Sequence, residues 1–132
     1  MIGLDTNVLV RYIVQDDPKQ ARVATRLIES RCTPDRPGYI SFIVLVEVVW
    51  VLARAYGYSR DVIFKVLQQI LSTAELDVEN HTLAWLALTD YQNGNANYSD
   101  CLIGRIHQDK GCETTVTFDK KAARVDTFQL LK

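Results

Sequence analysis

Met1-Ile2-Gly3-Leu4-Asp5-Thr6-Asn7-Val8-Leu9 sets how the chain begins to fold. Met1 to Leu4 is a short apolar run that reads as a first strand. From Thr6 to Val14 the apolar residues Val8, Leu9, Tyr12 and Ile13 recur at helical spacing. A strand therefore passes into a helix with one acid, Asp5, at the junction.

The same alternation continues outward. Asp17 before Pro18 marks a helix start, with proline at the first helical position, and that helix runs to about Arg31. Its expected inner face is Val23, Leu27 and Ile28, with Arg22, Arg26 and Glu29 outside. Residues 33–38 form a loop by composition, and Tyr39-Ile40 is a second strand. Ser41 caps a strongly apolar helix ending near Gly57, and Ser59 caps another that runs to about Ser72. Ala74 to Val78 reads as a third strand. Asn80 caps a helix over His81 to Gln92, which Asn93-Gly94-Asn95 ends. Ser99 starts a helix that Gly111 stops. Thr114 to Thr117 is β-branched and strand-like, Asp119 to Arg124 a short helix, and Phe128 to Leu131 a last strand. Short apolar strands separated by helices specify an α/β fold with a parallel sheet covered on both faces.

At 132 residues, 48% of them hydrophobic and 23% charged, the chain is expected to form one domain, residues 1–132, with a core that needs no disulfide or structural metal. The three cysteines, Cys32, Cys101 and Cys112, have neither disulfide nor zinc-site spacing. His81 and His107 match no metal-ligand spacing. The longest apolar run is broken by Glu47, and the N-terminus has no signal-like segment, so no membrane span and a cytoplasmic location are expected. The net charge of −1 does not advertise a nucleic-acid partner. Taking four candidate metal-binding acids from the 16 present leaves 12 against 15 bases, which permits one.

Those four are Asp5, Glu47, Asp100 and Asp119. In an open parallel sheet, ligands bind beyond the carboxyl ends of the strands. Asp5 and Asp119 follow strands there, Asp100 begins a helix, and Glu47 lies in the second turn after Tyr39-Ile40. Taken alone, each aspartate is better explained as a helix cap, and it is their joint placement that argues for a site. Glu47 interrupts Phe42-Ile43-Val44-Leu45-Val46 and Val48-Val49-Trp50-Val51-Leu52, a helix apolar nearly all round and so expected to be buried. A carboxylate there must be protonated, paired (with Arg11 or Arg105) or metal-bound. Grouped carboxylates suit Mg²⁺ or Mn²⁺, which can polarise a phosphoryl oxygen and activate water. No Ser–His or Cys–His pairing, Walker A loop or glycine-rich dinucleotide fingerprint competes.

Leu4-Asp5-Thr6-Asn7-Val8-Leu9, Glu47 in its apolar helix, Tyr98-Ser99-Asp100-Cys101-Leu102-Ile103, and Gly111-Cys112 followed by Thr117-Phe118-Asp119 together resemble the PIN-domain ribonucleases of the VapC type, toxins of toxin–antitoxin pairs. The resemblance implies a three-layer α/β/α fold with strand order 3-2-1-4-5. It implies an endoribonuclease holding Mg²⁺ or Mn²⁺ at Asp5, Glu47, Asp100 and Asp119, with Asn7 and Thr117 orienting the acids. It further implies a VapB-like antitoxin partner and a homodimer. Asn97 stands where many relatives carry another Asp. An amide brings no charge, so the expected site holds one metal. Arg11, Lys120 and Lys121 are the candidate RNA contacts. Two rivals are a haloacid-dehalogenase-type phosphatase, which wants a second Asp where Asn7 stands, and a non-catalytic PIN-like interaction module.

Overall fold

In the computed structural model, which describes residues 1–132, short parallel strands alternate with six α-helices. By internal contacts the chain divides into two units, Met1–Glu79 and Asn80–Lys132. The first contains β1 (Ile2–Gly3), α1 (Thr6–Val14), α2 (Pro18–Arg31), β2 (Gly38–Ile40), α3 (Phe42–Arg54), α4 (Arg60–Ser72) and β3 (Leu76–Val78). The second contains α5 (His81–Asn93), α6 (Tyr98–Lys110), β4 (Thr115–Thr117), a 3-10 turn at Ala122–Arg124 and β5 (Phe128–Leu130). The fold is thus α/β with parallel pairing throughout, as expected.

Local chemistry places the helix starts. Asp17 accepts a hydrogen bond from the Gln20 amide with Pro18 in the first turn, and Ser41, Ser59 and Asn80 accept from the amides three residues on. Each cap satisfies an amide that the helix itself leaves unpaired. The α6 helix begins at Tyr98 rather than Ser99 and ends on Gly111, whose φ of 104° is left-handed and favours glycine. Residues 119–124 form only the 3-10 turn, one turn shorter than the expected helix.

In the first unit β2 lies between β1 and β3, with Ile2 opposite Gly38 and Gly38 opposite Leu76. Around this sheet α1 packs on α2 and α3, and α3 on α4. Leu9, Ile40, Leu45, Val48, Leu52 and Leu67 are fully buried at its centre. Gly38 permits the close approach: a Cβ there would meet Leu4 Cδ1 and Cys32 Sγ at 2.6 and 2.9 Å. The α2 helix turns differently from expectation. Ala21, Ala24 and Ile28, spaced by three and four, are its buried face, whereas Val23 is 66% exposed.

Two further expectations fail at α3. Ile43 and Trp50 are 75% and 59% exposed, and Glu47 is exposed between them. Ile43, Glu47, Trp50 and Arg54 are spaced by four, three and four, so they form one outer stripe, with the Arg54 guanidinium over the Trp50 ring at 5.6 Å. Only Leu45, Val48 and Leu52 face the core. Because Glu47 is exposed, the argument from a buried carboxylate does not apply to it.

In the second unit α5 packs against α6, and β4 pairs with β5, Val116 opposite Gln129. Tyr98, fully buried, donates its hydroxyl to the Ala84 carbonyl at 3.0 Å and meets the Tyr91 ring edge-on. Arg105 clamps Asp90 with two bonds of 2.7 and 2.9 Å, which excludes it as a partner for Glu47. Gly104 sits where any Cβ would overlap Thr127 Oγ1 and come within 2.8 Å of the Phe128 ring. Because Thr127 is buried, it cannot swing away. Gly104→Ala is expected to destabilise the protein by about 2 kcal/mol, as overpacking does. The check is the midpoint of denaturant unfolding, with an unchanged midpoint counting against the packing described.

Candidate active site

Asp5 is the N-cap of α1, and its Oδ1 accepts a 2.8 Å hydrogen bond from the Thr6 amide. The Thr6 hydroxyl in turn donates to Glu47 Oε1 at 2.8 Å. Thr6, only 7% exposed, thus ties the acid after β1 to the acid on α3, through its backbone on one side and its side chain on the other. Sequence reasoning missed it. The available signal was a hydroxyl residue directly after the first acid, but hydroxyl residues are common in a first turn and nothing in the spacing pointed across to α3.

Asp119 follows β4 in the second unit. Its Oδ1 accepts from the amides of Lys121 at 2.8 Å and Ala122 at 3.3 Å, and its own amide donates to Thr117 Oγ1 at 3.0 Å. Thr117 therefore holds the Asp119 backbone. Asp100 lies in the first turn of α6, half-buried. Burial first, and then the charge of Asp119, hold the Asp100 carboxyl above its ordinary value. Asn97 is exposed at the N-cap of α6 and makes no capping bond with its side chain. Asn7 is exposed in the first turn of α1. Lys120 and Lys121 are exposed beside Asp119. Arg11 bonds Gln20, Asp16 and Tyr56, the last two raising its pKa, so it is no partner for Glu47.

The structure thus links Asp5 and Glu47 in the first unit and brings Asp100 under the charge of Asp119 in the second. Within neither unit do three acidic, histidine or cysteine side chains come close enough to hold a metal ion. The donor chemistry nevertheless fits a hard divalent cation. Asp5 and Asp119 each commit Oδ1 to a cap and keep Oδ2 for a ligand, and Asp100 and Asp119 repel each other unless neutralised. A cleft of about 830 Å³ in the first unit, lined by Leu9, Ile13, Ile28, Val66, Ile70 and Leu76 among others, contains none of the four acids.

The raised Asp100 pKa has a stability consequence. A carboxyl whose folded pKa exceeds its unfolded one contributes stability below the unfolded value and loses it as pH rises through the folded value. At neutral pH without divalent cations, ionised Asp100 is thus a liability. Asp100→Asn is expected to raise the melting temperature in EDTA at pH 7, with the gain disappearing once the pH falls below the ordinary carboxylate range. An equal gain at every pH would reject the assignment.

The PIN-domain family model matches residues 2–127, and the chain belongs to that family. It is similar to a VapC ribonuclease of Aquifex aeolicus (strain VF5), 23% identical over 118 residues that cover 89% of this chain and 87% of that protein. No helix is long and apolar enough to cross a membrane.

Proposed function

We propose that this protein is an endoribonuclease that hydrolyses RNA phosphodiester bonds with Mg²⁺ or Mn²⁺, as the toxin of a VapBC-type pair. The observation that carries this reading is the Asp100–Asp119 pair, in which burial and then the charge of Asp119 hold the Asp100 carboxyl above its ordinary value. Such an arrangement is stable in its ionised form with a cation bound. Similarity to a VapC ribonuclease supplies the substrate class. Because the family model spans both units, the chain is proposed to act as one functional domain.

In this reading Asp5, Asp119 and Asp100 are the residues that would hold the cation. When bound it would supply a Lewis acid for the charge that develops on the phosphoryl oxygens. Glu47, oriented through Oε1 by Thr6, would take the proton of the attacking water at its other oxygen as the water oxygen bonds to phosphorus and the ester P–O bond breaks, the leaving oxygen taking a proton from solvent. Thr117 keeps Asp119 in place, Asn7 lies beside Asp5, and Asn97 contributes polarity without charge. Lys120, Lys121 and Arg11 meet RNA phosphates. The exposed Ile43 and Trp50 beside Glu47 offer a face for a VapB-like antitoxin segment, and a homodimer in the cytoplasm is the proposed working form.

The test is cleavage of total cellular RNA with Mg²⁺, Mn²⁺ or EDTA by wild type, Asp5→Asn and Glu47→Gln. Cleavage by wild type alone, abolished by EDTA, is expected. Inert wild type, or two variants as active as wild type, would overturn the proposal.

A further inference from the structure

Phe118 is 78% exposed, more than Ile43 or Met1, although an aromatic ring of its size is ordinarily drawn into a core. Its exposure is enforced by the backbone around it. On one side the Thr117 carbonyl accepts from Leu131 N at 2.7 Å, and the Thr117 hydroxyl accepts from Asp119 N at 3.0 Å. On the other, Asp119 caps the turn through Lys121 N and Ala122 N, and its carbonyl accepts from Ala123 N at 3.0 Å. The ring is thus presented on a pinned turn, immediately before a proposed cation ligand and two exposed lysines. The local charge points the same way. From Thr115 to Lys132 there are four bases, Lys120, Lys121, Arg124 and Lys132, against two acids, Asp119 and Asp126, with Asp100 a third acid within the charge of Asp119.

We propose that Phe118 is a base-stacking platform that seats an unpaired RNA base beside Asp119. The inference rests on the ribonuclease reading and extends it to the form of substrate: a single-stranded segment. A base inside a duplex has no free face for a ring, whereas a base in a loop or single strand stacks on an aromatic side chain without regard to its identity. Adjacent Cα atoms are about 3.8 Å apart, so a base on the Phe118 ring lies within about one nucleotide's reach of the residue 119 backbone. Lys120 and Lys121 then neutralise the flanking phosphates. Positive charge near an apolar ring also disfavours the other occupant of such a surface, a second copy of the same chain, which would bring identical lysines with it.

The experiment measures binding of a fluorescein-labelled, 12-nucleotide single-stranded RNA of mixed sequence by anisotropy. It uses the full chain with Asp5→Asn to suppress cleavage, alone and combined with Phe118→Ala, Phe118→Leu or Phe118→Trp. Phe118→Ala and Phe118→Leu are expected to weaken binding about tenfold to hundredfold, and Phe118→Trp to retain it. The salt dependence of Phe118→Ala should match that of its parent. Lys120→Ala or Lys121→Ala should reduce the slope by about one. A duplex of the same sequence should bind without regard to residue 118. Equal affinity of the alanine and phenylalanine chains for single-stranded RNA overturns the stacking platform even if wild type cuts RNA. So does a change in oligomeric state with RNA affinity unchanged, which would make the ring a contact between copies. A wild type that neither binds nor cuts RNA overturns the ribonuclease reading itself. Because the ring is exposed, Phe118→Ala should melt with wild type, and the melt separates lost binding from lost structure.

Discussion

Asp119→Asn is expected to lower RNA cleavage by about three orders of magnitude, comparable to deleting a group that stabilises transition-state charge. The substitution is conservative where structure is concerned. An asparagine oxygen can still accept from Lys121 N and Ala122 N, and the backbone bond from residue 119 to the Thr117 hydroxyl is untouched. What disappears is the negative charge, and with it the affinity for a hard cation. Single-turnover cleavage and calorimetric Mg²⁺ titration should therefore fail together, with no loss of melting temperature in EDTA. The Asp100 carboxyl should at the same time titrate lower, but only part of the way, because burial is the larger cause of its shift and Asp119 the smaller. A variant that cuts RNA within about tenfold of wild type would remove Asp119 from the chemistry.

Thr6→Val should lower cleavage by about tenfold to hundredfold, the usual cost of losing a group that orients a catalytic acid. Valine matches threonine in shape, so the 7%-exposed position stays filled, and the Asp5 cap survives because the backbone amide makes it. Only the hydroxyl bond to Glu47 Oε1 is lost. The signature is a fall in kcat with KM nearly unchanged, and recovery in Thr6→Ser, which restores the donor. If Thr6→Ser is as impaired as Thr6→Val, packing rather than the hydroxyl governs the site.

Most of the secondary structure was legible because its signals are local. Asp17 with Pro18, Ser41, Ser59 and Asn80 each satisfy an amide within three residues, and Gly111 supplies a left-handed end. Such contacts need nothing from the rest of the chain. The strands were found with shifted ends: β1 is Ile2–Gly3 rather than Met1–Leu4 and β3 is Leu76–Val78 rather than Ala74–Val78, whereas β2 is Gly38–Ile40, one residue longer than Tyr39-Ile40. Apolar character persists past the last paired residue, and only a neighbouring strand determines where pairing stops. The three aspartates were singled out by their places after strands and at helix starts, and each does accept from or lie near helix N-terminal amides.

What the sequence alone could not determine was which apolar face would be covered. Val23 reads as core by hydropathy, yet Ala21, Ala24 and Ile28 take the inner side of α2, because small residues let that helix approach its neighbour closely. The α3 helix carries enough apolar side chains to bury every face, but its neighbours cover only Leu45, Val48 and Leu52, leaving Ile43, Glu47 and Trp50 outside. Glu47 thus keeps its candidacy by a route that periodicity cannot reveal, a hydroxyl 41 residues away. By itself the sequence determined the order of elements, their caps and the parallel α/β class, since these follow from interactions a few residues long. The partner of Glu47, the environment of Asp100 and the exposure of Phe118 were decided only when distant segments packed, because burial and pairing belong to the space between elements.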